Sequence, residues 1–186
     1  MTIGFALCGS YCTYDRVFPV IETLRKSNRI LPILSEAAYT TDSRFGTAEH
    51  WKTRLEEICG CPPLHLISQV EPIGPKGLLD ILVIAPCTGN TLAKLAHSIA
   101  DGPVTMAAKS HLRNGRPVLV AVSTNDGLAG AGENTGRLLA RKHYYFVPFG
   151  QDDAVKKPTS LVADFSKIPP AIEAAMEGRQ IQPLLL

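Results

Sequence analysis

Charge of either sign is scarce in this chain. Of 186 residues, 19 are Lys or Arg and 17 are Asp or Glu, leaving a formal charge of +2. With no basic tract above that balance, no nucleic-acid partner is expected. Long apolar runs are missing too. None approaches the roughly 18 residues of a transmembrane helix, so no membrane role is expected. The start, Met1-Thr2-Ile3-Gly4, lacks a signal peptide's charged region and runs directly into strand-like sequence, which predicts a cytoplasmic chain. Cysteine is sparse and odd in number, five in all. Cys59 and Cys61 flank one glycine with no matching pair elsewhere, which argues against both a disulfide framework and a zinc site. These residues read as small buried thiols, and no metal is expected.

What is present is an alternation of apolar runs and helical periodicity. Ile3 to Cys8, Arg29 to Leu34, Ile81 to Ala85, Pro117 to Val122 and Tyr144 to Val147 read as strands. Helices are predicted over Tyr14 to Ser27, with Val17, Ile21 and Leu24 inward, and over Thr47 to Ile58, with Trp51 and Leu55 inward. Further helices are predicted over Thr91 to Ala100, with Leu92, Leu95, Ala96 and Ile99 inward, and from Pro103 to a stop at Asn114-Gly115. Asn134 to Lys142 and Pro169 to Glu177 complete the set. Ser35 to Gly46 reads as a polar loop, Gly60 to Gly77 holds a short strand at Leu64 to Ser68, and Gly150 to Ser160 reads as irregular. Near-continuous apolar strands between helices predict one α/β domain over residues 1–186. Its fold class is Rossmann-like (flavodoxin-like), a three-layer parallel sheet with helices on both faces. Ligands of such sheets sit beyond the carboxyl ends of the strands.

Three loops at that edge share a chemistry. Gly9, Ser10 and Thr13 in "CGSYCT" follow the first strand; Pro86, Thr88, Asn90 and Thr91 in "APCTGNT" follow the third; Ser123 and Asn125 in "STNDG" follow the fourth. Hydroxyls and free amides ahead of helices form an anion site in principle. Neither the dinucleotide glycines nor a Walker lysine is present, which suits a monophosphate better than a dinucleotide or triphosphate. Ordinary Ser and Thr helix caps account equally well for any one loop taken alone.

These residues resemble the flavoprotein family that contains the FMN-dependent cysteine decarboxylases and phosphopantothenoylcysteine decarboxylase. Its signature, Pro-x-Ser/Thr-Ala-Asn-Thr-x-x-Lys-x-Ala ending in Ala-Asp, is matched by Pro86, Thr88, Asn90, Thr91, Lys94, Ala96, Ala100 and Asp101, with Gly89 in place of the Ala. The resemblance implies FMN held by these loops, with Ser35 as a further contact, and a homo-oligomer, trimer or dodecamer, with the Ala-rich Val104 to Lys109 at its contacts. "DSRFGTAEHW", "MAAKSHLRNGRPVLVAVSTNDGL" and "FVPFGQDDAVKKP" are similar to a narrower branch found in spore-formers. Its members act with a separate dehydrogenase-like protein, the A subunit of the pair, which implies NADP as acceptor, a small cyclic dicarboxylate as substrate and an oxidoreductase role. Catalysis by this chain alone stays open. A free-standing FMN-dependent decarboxylase and a non-catalytic partner with a vestigial site are the alternatives.

The sequence departs from the family in two places. Pro72 stands where the decarboxylases carry a catalytic His, and the later Pro-x-Met-Asn loop keeps only Asn125. No other base stands out, because His50, His65, His97, His111 and His143 are scattered, and His97 and His111 read as helix-surface residues. For substrate carboxylates the candidates are Arg44, by a bidentate pair, and Lys156 and Lys157. The alternative for the lysines is a loop that neutralises itself, since Asp152 and Asp153 precede them.

Overall fold

In the computed structural model, which describes residues 1–186, the chain alternates strands and helices in the order β1 (Thr2–Leu7), α1 (Tyr14–Arg25), β2 (Arg29–Leu34), α2 (Glu36–Thr40), α3 (Ala48–Cys59), α4 (Ile67–Val70), β3 (Ile81–Cys87), α5 (Gly89–Ala96), α6 (Pro103–Leu112), β4 (Val118–Thr124), α7 (Gly132–Leu139), β5 (Tyr144–Phe146), β6 (Phe149–Asp153), β7 (Lys157–Ala163) and α8 (Ile168–Met176). β1, β3 and β4 are apolar almost without interruption because both of their faces are covered; all seven residues of β3 are buried. Five strands pair in parallel in the order β2-β1-β3-β4-β5. The order turns back between β1 and β3. With right-handed crossovers that reversal puts α1 on one face and α5, α6 and α7 on the other, and α8 packs against α1. The same reversal opens a crevice at the carboxyl edge between the loops after β1 and β3.

Local signals set several boundaries. Thr47 caps α3 by accepting from the His50 amide at 3.1 Å, and Gly60 ends it in the left-handed region at φ 73°. Val17, Ile21, Leu24, Trp51 and Leu55 all face the core as their periodicity requires.

Other expectations are corrected. The stretch after Phe149 is not irregular: β6 and β7 form an antiparallel hairpin whose second strand pairs with the end of β4, Ser123 opposite Val162 and Thr124 opposite Leu161. Its outward polar residues hid the strand pattern, and the open edge of β4 supplies the pairing. The segment expected as a strand at Leu64 to Ser68 makes a single parallel bridge from Leu64 to Ile33 and then turns into α4. The expected polar loop after β2 contains α2, capped by Ser35. Helix α5 stops at Ala96 because Ser98 takes a left-handed backbone, φ 59°, so Ile99 is 47% exposed instead of inward. His111 lies inside α6 at 1% exposure, not on the surface; its Nε2 is 3.1 Å from the Pro117 carbonyl. In α6, Val104, Ala107 and Ala108 are buried in the chain's own core, so they do not form a free contact face.

Candidate functional site

At the carboxyl edge, the loops after β1, β2 and β3 and the start of α6 enclose a cleft of about 580 Å³. Gly9, Ser35, Thr88, Asn90 and Thr91 line it together, so five of the residues expected from the sequence share one wall. Thr88 is the N-cap of α5: its Oγ1 accepts from the Thr91 amide at 3.3 Å and donates to Thr91 Oγ1 at 3.1 Å. Thr91 Oγ1 donates onward to Cys8 Sγ at 3.3 Å. This relay fixes the first turn of α5, worth about 1 kcal/mol for the cap alone. Hydroxyls rotate, so the same oxygens can turn their hydrogens toward an arriving anion. Beside them the Gly89 and Asn90 amides have no intrahelical acceptor, and the positive end of α5 faces the cleft. Ser35 does for α2 what Thr88 does for α5, accepting from the Ala38 amide at 3.2 Å.

Two glycines shape the cradle for different reasons. A Cβ on Gly9 would stand 3.4 Å from Tyr11 Oη and 3.5 Å from Ala37 Cβ, so the protein tolerates a side chain there and the open space belongs to the cleft. A Cβ on Gly89 would come within 2.6 Å of Thr124 Oγ1 and 2.7 Å of Asp126 Oδ1. Thr124 donates to Asp126, and this hydrogen-bonded pair fills the position that the family's alanine methyl would take. The departure at Gly89 therefore has a steric cause in the loop after β4.

The remaining candidates lie elsewhere. Ser10 Oγ and Ser123 Oγ are 2.7 Å apart and tie the first loop to the third. Thr13 is buried and donates to the Ser10 carbonyl at 2.8 Å. Pro86 is buried in β3, after a cis peptide from Ala85. Asn125 is exposed in the turn after β4, its carbonyl accepting from Thr159 Oγ1 at 2.6 Å. None of these residues lines the cleft. Arg44 is exposed, its guanidinium 4.8 Å from the Phe45 ring centroid, and it has no carboxylate partner. Lys157 pairs with Asp152 at 2.5 Å across the β6–β7 hairpin, while Lys156 extends from its turn.

Other wall residues stand outside the candidate site set drawn from the sequence, although Lys94 and Asp101 match the family signature. Lys94 and Asp101 form an ion pair of 2.9 Å between α5 and the approach to α6. Glu36 and the start of α6, from Gly102 to Thr105, complete the lining. Pro103 signalled a helix start, but only the crossover from β3 to β4 brings that start beside Thr88. The wall contains no histidine and no cysteine. The Cys8 thiol behind it is pushed up to about 11 by burial, partly opposed by the Thr91 hydrogen bond, so it stays protonated. Burial also raises Cys87 well above the ordinary range. His111 is pushed down to about 4, again by burial. The cleft is thus a surface of hydroxyl and amide donors whose charged groups are Glu36, Asp101 and the Lys94 that Asp101 pairs.

The chain is similar to known proteins over nearly its whole length. The Flavoprotein family profile matches residues 1–129. The chain is 45% identical over 185 residues to the B subunit of dipicolinate synthase from Bacillus subtilis (strain 168), covering 99% of this chain and 92% of that protein. The crystal structure of the corresponding B subunit from Bacillus halodurans superposes with a TM-score of 0.91 at 45% identity, covering 100% of this chain and 95% of the other. DmrB of Burkholderia xenovorans, described as an FMN complex and a cubic cage for redox transfer, superposes with a TM-score of 0.71 at 19% identity and 95% coverage of both chains. That last likeness is one of fold.

Proposed function

This chain belongs to the flavoprotein family, and from that membership we propose that it is the B subunit of a dipicolinate synthase and holds FMN in the carboxyl-edge cleft. The observation that carries the reading is the shared wall of Gly9, Ser35, Thr88, Asn90 and Thr91. Its donor set fits a phosphate monoester. Amides and hydroxyls converge at a helix N-terminus, with no lysine or arginine held free to neutralise a longer phosphate chain. The volume falls within the roughly 300–1,000 Å³ typical of small-molecule sites. Ala37 adds apolar surface for a ring, and the space before Gly9 leaves room for a polar arm. The full-length identity to B subunits of dipicolinate synthase supports the narrower assignment.

Flavin, when bound, supplies a two-electron acceptor. The chain's own residues hold and orient it; no imidazole lines the cleft to accept a ring proton. The dehydrogenase-like A subunit therefore carries the nicotinamide site for NADP and the base, and the A–B pair oxidises a dihydrodipicolinate-pathway intermediate to dipicolinate. Arg44 and Lys156 carry charges with no carboxylate partner in the chain, which supports a role toward the two carboxylates of the substrate. Lys157 joins them by leaving Asp152. Ser10, Thr13, Pro86, Ser123 and Asn125 brace the loops that the flavin contacts. The active species is a homo-oligomer, trimer or dodecamer, in the mother-cell cytoplasm of a spore-former. A free-standing cysteine decarboxylase finds no histidine in this cleft to support it.

The test is a titration of the purified chain with FMN, read by quenching of flavin fluorescence, followed by reconstitution with the dehydrogenase-like protein, omitting each component in turn. Saturable quenching is expected, with dipicolinate formed only when both proteins and NADP are present. Absence of quenching would remove the flavin assignment, and full activity from this chain alone would remove the division of labour.

A further inference from the structure

The segment between α5 and α6 separates two cavities. Asp101 and Gly102 line the flavin-type cleft, whereas Ser98, Ile99 and Ala100 line a second cavity of about 340 Å³; the two share only Thr105. Leu95, Ile99, Leu112 and Tyr144 form the apolar wall of this second cavity, and Lys109 and Lys142 stand at its rim. No acidic residue lines it, and neither lysine has an ion-pair partner in the chain.

The wall is held by costly backbone. Ser98 and His143 are the two non-glycine residues of the chain with positive φ, 59° and 68°, and both line this cavity. Such a conformation is unfavourable for a residue that carries a side chain. At Ser98 the cost has a structural return: the Ile99 amide closes on the Lys94 carbonyl at 2.8 Å, ending α5 where glycine is usual. The Ser98 hydroxyl then accepts from Arg141 at 3.2 Å. Arg141 also donates to the Leu95 and Ala96 carbonyls, at 3.1 and 2.6 Å, and so closes one side of the cavity. Arg141 adds its charge but spends its donors on these neutral groups, which leaves the ammonium groups of Lys109 and Lys142 as the charged donors free to reach a ligand.

We propose that this cavity binds a small aromatic carboxylate, its ring on the apolar wall and its carboxylate toward the two ammonium groups. The volume, at the low end for small-ligand sites, suits one ring. A neutral ring would leave both lysines without a counter-charge, and a bare phosphate has no body for the apolar wall to cover. The site needs no flavin and is separate from the phosphate cradle.

Isothermal titration of the full chain with benzoate, benzamide and inorganic phosphate tests this. Benzoate should bind once per chain, with benzamide and phosphate each weaker by at least roughly tenfold. Lys109→Gln combined with Lys142→Gln should weaken benzoate by about the same factor, and Leu112→Trp should abolish its binding by filling the cavity. Asn90→Trp, in the other cleft, should leave benzoate binding unchanged. Equal binding of benzoate and benzamide, benzoate binding that survives the double lysine change, or an assembled oligomer whose second copy fills the cavity would each overturn the proposal. The lysine variants alter exposed side chains, so they decide the matter even if Leu112→Trp fails to fold.

Discussion

The two edges of the central sheet are both rich in polar groups, and they use them in opposite ways. At the amino edge the groups satisfy one another. Asp80 accepts from the Thr2 amide at 2.7 Å, His111 Nε2 reaches the Pro117 carbonyl at 3.1 Å, and Asn114 donates to the Gly74 carbonyl at 2.7 Å. Arg116 donates to the Leu79 and Gly77 carbonyls. At the carboxyl edge, Asn90, the first amides of α5 and the rotatable hydroxyls of Thr88 and Thr91 face a cleft. Buried polar groups are paired wherever pairing is possible. An edge that leaves donors open to a concave surface is therefore the one equipped for a ligand.

The largest effect expected from this contrast belongs to the amino edge and depends on pH. The buried imidazole of His111 is pushed from 6.5 down to about 4, so the unfolded chain takes up a proton before the folded chain does. Its contribution is intact above pH 6.5 and is lost as pH falls toward 4, on the order of 3 kcal/mol in all. His111→Gln should flatten that part of the profile, as read from urea midpoints at pH 7 and pH 4.5. A wild-type midpoint that does not fall across this window would break the picture of a closed amino edge.

The carboxyl edge should respond through ligand affinity and steric fit. Thr91→Val removes the hydroxyl that links Thr88 to Cys8 and should weaken FMN about tenfold, near 1.4 kcal/mol, in the fluorescence titration. Unchanged affinity would take Thr91 out of the binding wall. Gly89→Ala restores the family's residue and should nonetheless destabilise by about 1 kcal/mol, because crowding against Thr124 and Asp126 outweighs the gain in helix propensity. In a Thr124→Ala/Asp126→Ala background the same change should stabilise the protein. A shared sign in both backgrounds would refute the steric account.

The smallest effect is expected at the β6–β7 hairpin. Lys157 and Asp152 are exposed and pair with each other, so Lys157→Gln should leave the unfolding midpoint where it is. Any loss would appear only in dipicolinate formation by the A–B pair, through the substrate role proposed for this lysine.

Residues with one dominant local reason for their structure could be read directly. The apolar runs of β1, β2 and β3 and the helix predicted over Thr47 to Ile58 are of this kind. The end of α5 could not be read, because serine carries no signal for the left-handed conformation that Ser98 adopts; that early stop turned Ile99 from core to surface. His111 was misplaced because its side of α6 meets the loop before β4, a neighbour that helical periodicity does not reveal. The β6–β7 hairpin was hidden because its strands are exposed and polar, while the edge that recruits them belongs to β4.

Sequence by itself determined the parallel α/β sheet and the three polar loops on its carboxyl edge. Strand hydrophobicity, alternation with helices and the handedness of crossovers leave little freedom at that level. Tertiary structure alone decided which hydroxyls face the cleft. Ser10 and Ser123 turn toward each other, Thr13 turns inward, and Thr88, Asn90 and Thr91 line the wall with Gly9 and Ser35. The physical reason is that a side chain's direction follows the backbone path of its loop, and that path is set by contacts with segments far away in the chain: Ser10 with Ser123, Gly89 with Asp126, and Thr91 with Cys8.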